Sequence, residues 1–347
     1  MLRRLLKDFR WGLLPVPGRV IALIFFVALF IFPLIVQTTY YVRVITYANI
    51  FVIFAVSWDL LSGYTGQVNF GHALFFGVGA YTVALLNKYF GLQPWATIPI
   101  GTLVAALVGV VTCIPALRLR GPYLSLLTMA FPIMLVYIVM AFKDITGGEY
   151  GIGGIPRLAS TPIHEYYICL VVMVAAVFIM YKLTDARSSL VRTGLIFHAI
   201  REDEIAARAT GINTIRYKIL AFAIGGLFAG LAGVLYTHVI RATGPSSLAL
   251  TMSFQAIIWV VFGGIVSIYG AIVGVYTLYP LVELLRKTLI GQYRLIIMAV
   301  IVILILLFMP EGVAVWIRDK IETECPRCKL TNAAWRRECR ACSAPLH

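Results

Sequence analysis

Long apolar runs without Asp, Glu, Lys or Arg dominate the chain. They cover residues 20–42, 44–63 (broken only by Asp59), 72–87, 89–117, 121–142, 166–181, 219–240, 242–282 and 295–310. A helix needs about 20 apolar residues to cross a bilayer. A transmembrane β-barrel would show short alternating segments instead. The pattern therefore predicts an all-α polytopic membrane protein with about eight to ten transmembrane helices.

The run 242–282 is ambiguous because its 41 residues are far too many for one crossing and just enough for two. Two crossings would require a break near Gly263 and Gly264, or near Gly270. One crossing would place the two ends of the chain on opposite sides of the membrane, and two crossings would place them on the same side.

Composition excludes other classes of protein. Of 347 residues, 61% are hydrophobic and 13% are charged, whereas soluble domains are about 45–50% apolar and about 25% charged. A soluble enzyme and a disordered chain are therefore both excluded. The net charge of +14 lies between the apolar runs, so we interpret it as a topology signal in a lipid environment and expect no nucleic-acid partner.

The basic residues predict the orientation. Residues 1–19 form a basic arm before a first helix that lacks a cleavage pattern. The turn at Arg118 and Arg120 and the segment 182–218 are also basic, whereas 143–164 is balanced. The positive-inside rule predicts a multi-pass protein of the plasma (inner) membrane, with a cytoplasmic arm 1–19 and a transmembrane domain 20–310.

The tail, residues 311–347, contains two CxxC pairs, Cys325 with Cys328 and Cys339 with Cys342. Four thiolates at this spacing predict a structural Zn²⁺ site in a small zinc-ribbon-like tail, although the spacer is shorter than usual. Two disulfides are the alternative. Reduced cysteines would place the tail in the cytoplasm, which favours two crossings within 242–282.

A charged loop at 184–216 contains a helix-compatible stretch, 196–209. Glu204 precedes the small residues Ala206 and Ala207, and Gly211 can end the helix. Small residues allow a partner to approach closely, so we interpret the loop as a docking surface. A plain connector between two membrane helices is the alternative.

The sequence EIAARATGIN in this loop resembles the EAA-type coupling motif of ABC importer permeases. Four further segments resemble the branched-chain amino acid ABC permease family, on its LivM-like side. They lie at residues 63–86, 117–131, 146–156 and 217–239, and the resemblance runs from about residue 58 to 309. The first 19 residues and the cysteine tail depart from the family pattern.

The resemblance implies an ABC importer permease fold and a set of partners. These are a sister permease, two cytoplasmic ATPases and an extracellular or periplasmic substrate-binding protein. The ATPases would contact the loop at Glu204, Ala206, Ala207 and Gly211. The chain has no Gly-x-x-x-x-Gly-Lys-[Ser/Thr] loop, so we expect it to bind no nucleotide and to be a transport subunit rather than an enzyme.

Polar and glycine residues between the helices are candidates for the substrate pathway: Tyr64, Gln67, Asn69, His72, Gly147, Gly148 and Gln255. Each has a simpler interpretation. Asn69 is a plausible N-cap for the third helix, and the glycines equally suit a tight turn. Asp59 is either a functional charge or a hydrated residue near the inner end of its helix, and its position favours hydration.

The predicted function is the permease subunit of an ABC importer for branched-chain or related amino acids. A urea or short-amide permease on the same scaffold is the alternative. A non-ABC membrane protein with a zinc tail is a third hypothesis, but the chain offers no paired acids or Ser/His/Asp set for catalysis. A secondary transporter would need intramembrane acids, and Asp59 is the one candidate.

Overall fold

The structure is a computed structural model that describes residues 17–36, 38–119, 121–185, 192–287, 291–328, 331–339 and 342–346. Residues 1–16 of the predicted basic arm, Arg120, and residues 186–191 of the charged loop lie outside the described residues.

The described chain is mostly helical. The helices are α1 Pro17–Ile35, α2 Thr39–Trp58, α3 Ala73–Phe90, α4 Pro94–Ala116, α5 Pro122–Ala141, α6 Lys143–Thr146, α7 Pro162–Thr184, α8 Thr193–Glu202, α9 Glu204–Ala209, α10 Thr214–Ile240, α11 Leu250–Gly263, α12 Ile268–Leu285, α13 Arg294–Phe308 and α14 Val313–Ile321. A π-helical turn, Asp59–Tyr64, extends α2, and 3₁₀ turns lie at Pro245–Leu248 and Gly291–Tyr293.

Two small antiparallel sheets accompany the helices. Strand β1 (Ile152–Gly153) pairs with β2 (Ala242–Thr243), and β3 (Glu322–Glu324) pairs with β4 (Thr331–Ala333). The second sheet belongs to the tail.

Eight helical segments of the described chain are long and apolar enough to cross a membrane. They are Thr39–Tyr64, Ala73–Phe90, Pro94–Ala116, Pro122–Ala141, Pro162–Thr184, Thr214–Ile240, Ile268–Leu285 and Ile296–Ile321. Two shorter apolar helices, Val20–Ile35 and Leu250–Gly263, accompany them. The predicted polytopic all-α architecture is therefore confirmed.

Helix α2 lies at the centre of the bundle. It packs against α7, α10 and α12, and nearly all of its residues from Ala48 to Trp58 are buried. By contrast, α5 and α13 keep many large apolar side chains exposed, such as Leu126 and Leu307. An apolar side chain exposed on a long apolar helix is suited to contact with lipid.

The first predicted run, 20–42, is not one helix. Helix α1 ends at Ile35 and α2 begins at Thr39, with Thr38 in an extended conformation between them. Arg43, which the run treated as a boundary, lies inside α2. A long arginine side chain can keep its charge near a helix end while its stem packs on apolar surface, so a charge-free count misplaces this boundary.

Glycines let the central helices approach closely. A Cβ on Gly233 of α10 would lie 2.0 Å from the Phe76 carbonyl oxygen, and one on Gly274 of α12 would lie 1.9 Å from that of Trp259. Gly226 packs in the same way against Ala105 of α4. These glycines therefore allow close helix packing within the chain.

The run 242–282 contains two helices, α11 and α12, and an extended segment precedes the first. It starts at β2, which pairs with β1 near the C-terminal end of α3. Leu248 then packs against Gly77 within α3, and Ser253 of α11 accepts a hydrogen bond from the first N–H of α3, at Ala73. Helix α11 has 14 residues and is about 21 Å long, and the extended segment before it lies along α3.

Several contacts bring distant segments to one end of the bundle, which we call the α9 end. The rings of Tyr64 and of His198 in α8 meet edge to face. Gly264, after α11, lies against Gly312, before α14. The N–H of Gly18 in α1 is bonded to Glu322 of β3. Both ends of the described chain thus share the end that holds α8 and α9, while β1 and β2 lie at the opposite end.

Candidate functional sites

The charged loop folds into α8 and α9, which are separated by Asp203 in an extended conformation. The Asp203 carboxylate accepts hydrogen bonds from the N–H groups of Ile205 (2.7 Å) and Ala206 (3.0 Å). This is an N-cap for α9. Gly211, with φ +86°, takes the left-handed conformation that was predicted to end the helix. The predicted helix over 196–209 is therefore two helices.

Glu204 joins α9 to the start of α10. Its Oε2 lies 2.7 Å from Nζ of Lys218, and its Oε1 is bonded to Arg208 and accepts from the Thr214 hydroxyl at 3.3 Å. Burial acts to raise the pKa of the Glu204 carboxyl, but the hydrogen bond and charge of Lys218, together with Arg208, outweigh it and lower this pKa. Glu204 is therefore held as a carboxylate.

The four residues predicted to contact an ATPase have different positions. Ala206 and Gly211 are exposed. Ala207 is buried, with 4% exposure, and Glu204 is engaged by Lys218 and Arg208. Within this structure, Glu204 and Ala207 hold the loop in shape instead of forming its outer surface.

Ile205 was missed by the sequence analysis and is the most exposed apolar side chain of α9, at 66%. Its signal was an isoleucine placed between Glu204 and Ala206 in a charged loop. We define the α9 surface as the exposed residues Asp203, Ile205, Ala206, Ala209 and Gly211. This surface combines small residues with one large apolar side chain, that of Ile205.

A cleft of about 310 Å³ separates α9 from the bundle. Gln67 and Gly66 line one side, and Arg201, Asp203 and Lys218 line the other. Gln67 is half-buried, so it is the predicted pathway residue that faces this cleft at the α9 end.

Asn69 stabilises a turn before α3. Its side-chain oxygen accepts from the Gly71 N–H at 2.8 Å, and its carbonyl accepts from the Trp58 indole at 2.6 Å. The prediction that Asn69 caps α3 is wrong, because Ser253 of α11 binds the N–H of Ala73 instead. Two distant elements meet at this helix end, which a local sequence pattern cannot show.

Tyr64 and His72 are also packed inside the bundle. The His72 ring nitrogen Nε2 lies 2.8 Å from the Ser57 hydroxyl, and the ring packs against Phe54 and Phe75. Tyr64 is 9% exposed and contacts the ring of His198. In this conformation, neither side chain lines the cleft beside Gln67.

Asp59 is completely buried, so the interpretation of a hydrated carboxylate is wrong. Its oxygens accept from the N–H groups of Val266 (2.9 Å) and Ser267 (3.1 Å). These residues form the break between α11 and α12. Gly63 leaves the room that the carboxylate needs, since a Cβ there would lie 2.0 Å from Oδ1. Asp59 therefore fixes the break to the end of α2.

Gly147 and Gly148 form a tight turn with φ angles of +80° and +57°, which supports the turn interpretation. Further along this loop, Gly153 and Gly154 line a second cleft of about 260 Å³, together with Lys88 of α3. This cleft lies at the β1–β2 end.

Gln255, the remaining candidate for the substrate pathway, is half-buried on α11.

The four tail cysteines converge as predicted. Their sulfur atoms all lie within 4.8 Å of one another. Cys325 and Cys342 are 3.5 Å apart, and Cys328 lies 3.5 Å from Cys339 and 3.6 Å from Cys342. Zn–S bonds of about 2.3 Å in a tetrahedron place sulfur atoms about 3.8 Å apart. A disulfide would need about 2.05 Å, so the distances between the four cysteines fit a metal site and not two disulfides.

The surroundings of the cysteines also suit a metal. The backbone N–H of Cys328, with that of Arg327, lowers the pKa of the Cys325 thiol against a smaller effect of burial. The side-chain amide of Asn332, which is fully buried, points to the Cys339 sulfur at 3.6 Å. N–H groups directed at sulfur favour thiolate ligands and orient them.

Comparisons with known proteins agree on one family. The family model described as branched-chain amino acid transport system / permease component matches residues 40–307. The permease LivM of the high-affinity branched-chain amino acid system of Escherichia coli is 30% identical, over 84% of this chain and 72% of its own length. A probable branched-chain permease LivH of Methanocaldococcus jannaschii is 24% identical, over 78% and 90%. A guanosine ABC transporter permease, NupQ of Bacillus subtilis, is 26% identical, over 57% and 67%.

Proposed function

Because the chain belongs to the branched-chain amino acid transport permease family, we propose that it is the permease subunit of an ABC importer for branched-chain or related amino acids. The match over residues 40–307, from α2 into α13, is the observation that carries this proposal. Transport through such a subunit fits a chain that is not itself an enzyme. The guanosine permease among the relatives makes nucleosides a second substrate class on the same scaffold.

Energy for transport would enter through α9. ATPase subunits bound at the α9 end would contact the α9 surface. Ile205 would insert into an apolar groove on the ATPase, and the small residues Ala206 and Gly211 would let its backbone approach closely. Glu204 would pass the motion on to α10 through its ion pair with the buried Lys218. A rigid connection of this kind suits a switch between inward-open and outward-open states.

Basic residues support a cytoplasmic location for the α9 end. Arg118, Lys182, Arg201 and Arg216 all belong to loops or helix ends that the positive-inside rule assigns to the cytoplasm. Since both ends of the described chain share this end, the termini would also be cytoplasmic. A substrate-binding protein would then dock at the opposite, β1–β2 end, and a sister permease of the LivH type would complete the pore.

The tail would hold one structural Zn²⁺ through Cys325, Cys328, Cys339 and Cys342. Four thiolates fill all four positions of a tetrahedral site, which leaves no open position for catalysis.

Uptake by reconstituted vesicles tests the proposal. The chain is placed in proteoliposomes with its sister permease, both ATPases and the binding protein, and radiolabelled leucine, guanosine and urea are compared. We expect leucine uptake that requires ATP and the binding protein. Uptake of guanosine or urea without leucine would overturn the amino acid assignment, and leucine uptake without ATPases would overturn the ABC mechanism.

A further inference from the structure

A hydrogen bond joins the two ends of the described chain across 304 residues of sequence. The Gly18 N–H, in the first turn of α1, donates to Oε1 of Glu322 in the tail at 2.8 Å. The first N–H groups of a helix have no partner within the helix, and the first turn of α1 has no acidic residue of its own. Glu322 therefore supplies the negative charge that favours a helix N-terminus.

The Glu322 carboxylate lies close over the backbone of Gly18. A Cβ at this position would lie 2.6 Å from Oε1, at the flexible end of the Glu322 side chain. Helix α14 also contacts α1, so the tail touches the first helix at more than one place.

The position of Glu322 depends on the fold around the cysteines. Glu322 pairs with Ala333 in the β3–β4 ladder, and the N–H of Ala334 donates to the Ile321 carbonyl at 2.8 Å. Cys325 follows directly after β3. Its apolar cluster holds two cysteines, Cys325 and Cys339, with Leu346. A cluster of this size needs a metal to fold.

The same tail also packs under the break between α11 and α12. Val315 of α14 lies against Gly264, and Nη1 of Arg318 donates to the Tyr269 hydroxyl at 2.6 Å. Helix α14 is thereby fixed to the bundle on one side, while Glu322 reaches α1 on the other. The tail bridges a fixed element and an outer helix whose side chains are largely exposed, such as Ile24 and Leu34.

We propose that the metal-loaded tail is a clasp that holds the N-terminal end of α1 in place, and that removing a tetrahedral, thiolate-binding ion such as Zn²⁺ releases this end. The proposal rests on the metal site described above and does not depend on the transported substrate. It gives the cysteine tail, which departs from the family pattern, a role inside its own chain.

Hydrogen–deuterium exchange on the full-length chain in nanodiscs tests the clasp. Exchange at residues 18–20 is measured with zinc bound, after chelation, and after zinc is restored. We expect exchange to become about tenfold faster on chelation, since a charge-assisted hydrogen bond is lost, and to slow again when zinc returns. Unchanged exchange in a chain that demonstrably loses its zinc would overturn the clasp.

Two variants separate the clasp from the metal site. Glu322→Ala removes the acceptor, and Glu322→Gln keeps an acceptor oxygen but removes its charge. Both should keep about one zinc per chain and show the faster exchange at the start of α1. Glu338→Ala, an exposed tail carboxylate, is the matched control and should change neither. Unchanged exchange in both variants, or zinc loss from both, would contradict the proposal. A chain that never binds zinc would refute the metal site itself, and leucine uptake would still test the transport function.

Discussion

Ile205 exposes two-thirds of its side chain on a six-residue helix whose Glu204 and Ala207 face inward. Placing a charge there should prevent ATPase binding without disturbing the loop, because the side chain contributes little to the packing of its own chain. We expect Ile205→Asp to abolish co-purification of the ATPase subunits. Leu195→Asp, at a residue of α8 that is 57% exposed, is the matched control and should leave it intact. Normal ATPase capture by the Ile205 variant would exclude the α9 surface as the contact.

Ala207 and Gly211 would be poorer probes of the same contact. A charge at Ala207 would enter a buried position, and any side chain at Gly211 would be strained at φ +86°. Loss of ATPase binding in these variants would report a damaged loop as readily as a lost contact.

The ion pair of Glu204 makes the α9 loop sensitive to acid. The pKa of Glu204 is lower in the folded loop than in an unfolded chain, so its contribution to stability is present above the unfolded pKa and lost as pH falls through the folded pKa. Exchange protection of α9 amides should therefore decrease on acidification. Glu204→Gln should remove this pH dependence, while Glu202→Gln, at an exposed neighbour, should retain it. Equal pH profiles for Glu204→Gln and the unmodified chain would refute this account.

Single residues were predictable where spacing alone decides the chemistry. The two CxxC pairs identify all four cysteines of the cluster, because the short Cys-x-x-Cys intervals already bring the sulfur atoms of each pair together. The roles of Asp59 and Asn69 were not predictable. Asp59 accepts a hydrogen bond from Val266, which lies 207 residues away. Asn69 lies in a turn whose geometry depends on a hydrogen bond from Trp58. A polar residue in an apolar run reveals that a partner exists and not which one.

At the scale of elements, the break between α11 and α12 depends on the carboxylate of Asp59. Asp59→Ala would leave two backbone N–H groups without their acceptor, the buried one of Ser267 and the partly buried one of Val266. At about 1–3 kcal/mol for an unsatisfied buried group, we expect a loss of about 1–3 kcal/mol or more in the free energy of unfolding. Thermal unfolding in detergent measures it. Asp144→Ala, at an exposed acid of α6, is the control and should unfold as the unmodified chain does. An unchanged melting temperature for Asp59→Ala would refute the role of Asp59 in fixing the break between α11 and α12.

Most helices were predictable because a long apolar run with few charges is typical of a helix that crosses a membrane. The exceptions are informative. The α1–α2 boundary at Thr38 falls inside a charge-free run, and α11 is too short to cross by itself. Its extended lead-in along α3 is stabilised by tertiary contacts, such as Leu248 on Gly77, which hydropathy does not register.

For the whole molecule, a bound metal would change the charge that the sequence suggests. Four thiolates and one Zn²⁺ would carry −2, so a net charge of +14 would become +12. We expect metal analysis to find about one zinc per chain and to lose it in Cys325→Ser combined with Cys339→Ser. Cys113→Ser, at a buried cysteine of α4, should keep the zinc. Full zinc content in the double variant would refute the site.

The sequence predicted that both ends of the chain lie at the same end of the bundle, but it could not predict the contacts that hold them there. Basic segments and reduced cysteines indicated that both ends of the chain lie on one side, and the structure brings both described ends together with α9. The contacts that fix this arrangement, between Gly264 and Gly312 and between Gly18 and Glu322, join residues far apart in sequence. Composition cannot specify such pairs.

The contact between Gly18 and Glu322 can form only late in the synthesis of the chain. Because 304 residues separate them, a ribosome working at about 5–20 residues per second completes Glu322 about 15–60 seconds after Gly18. Helix α1 is therefore synthesised long before the carboxylate that bonds to its N-terminus. The bond can form only after nearly all of the chain has been made, and a chain that ends before the tail would lack it.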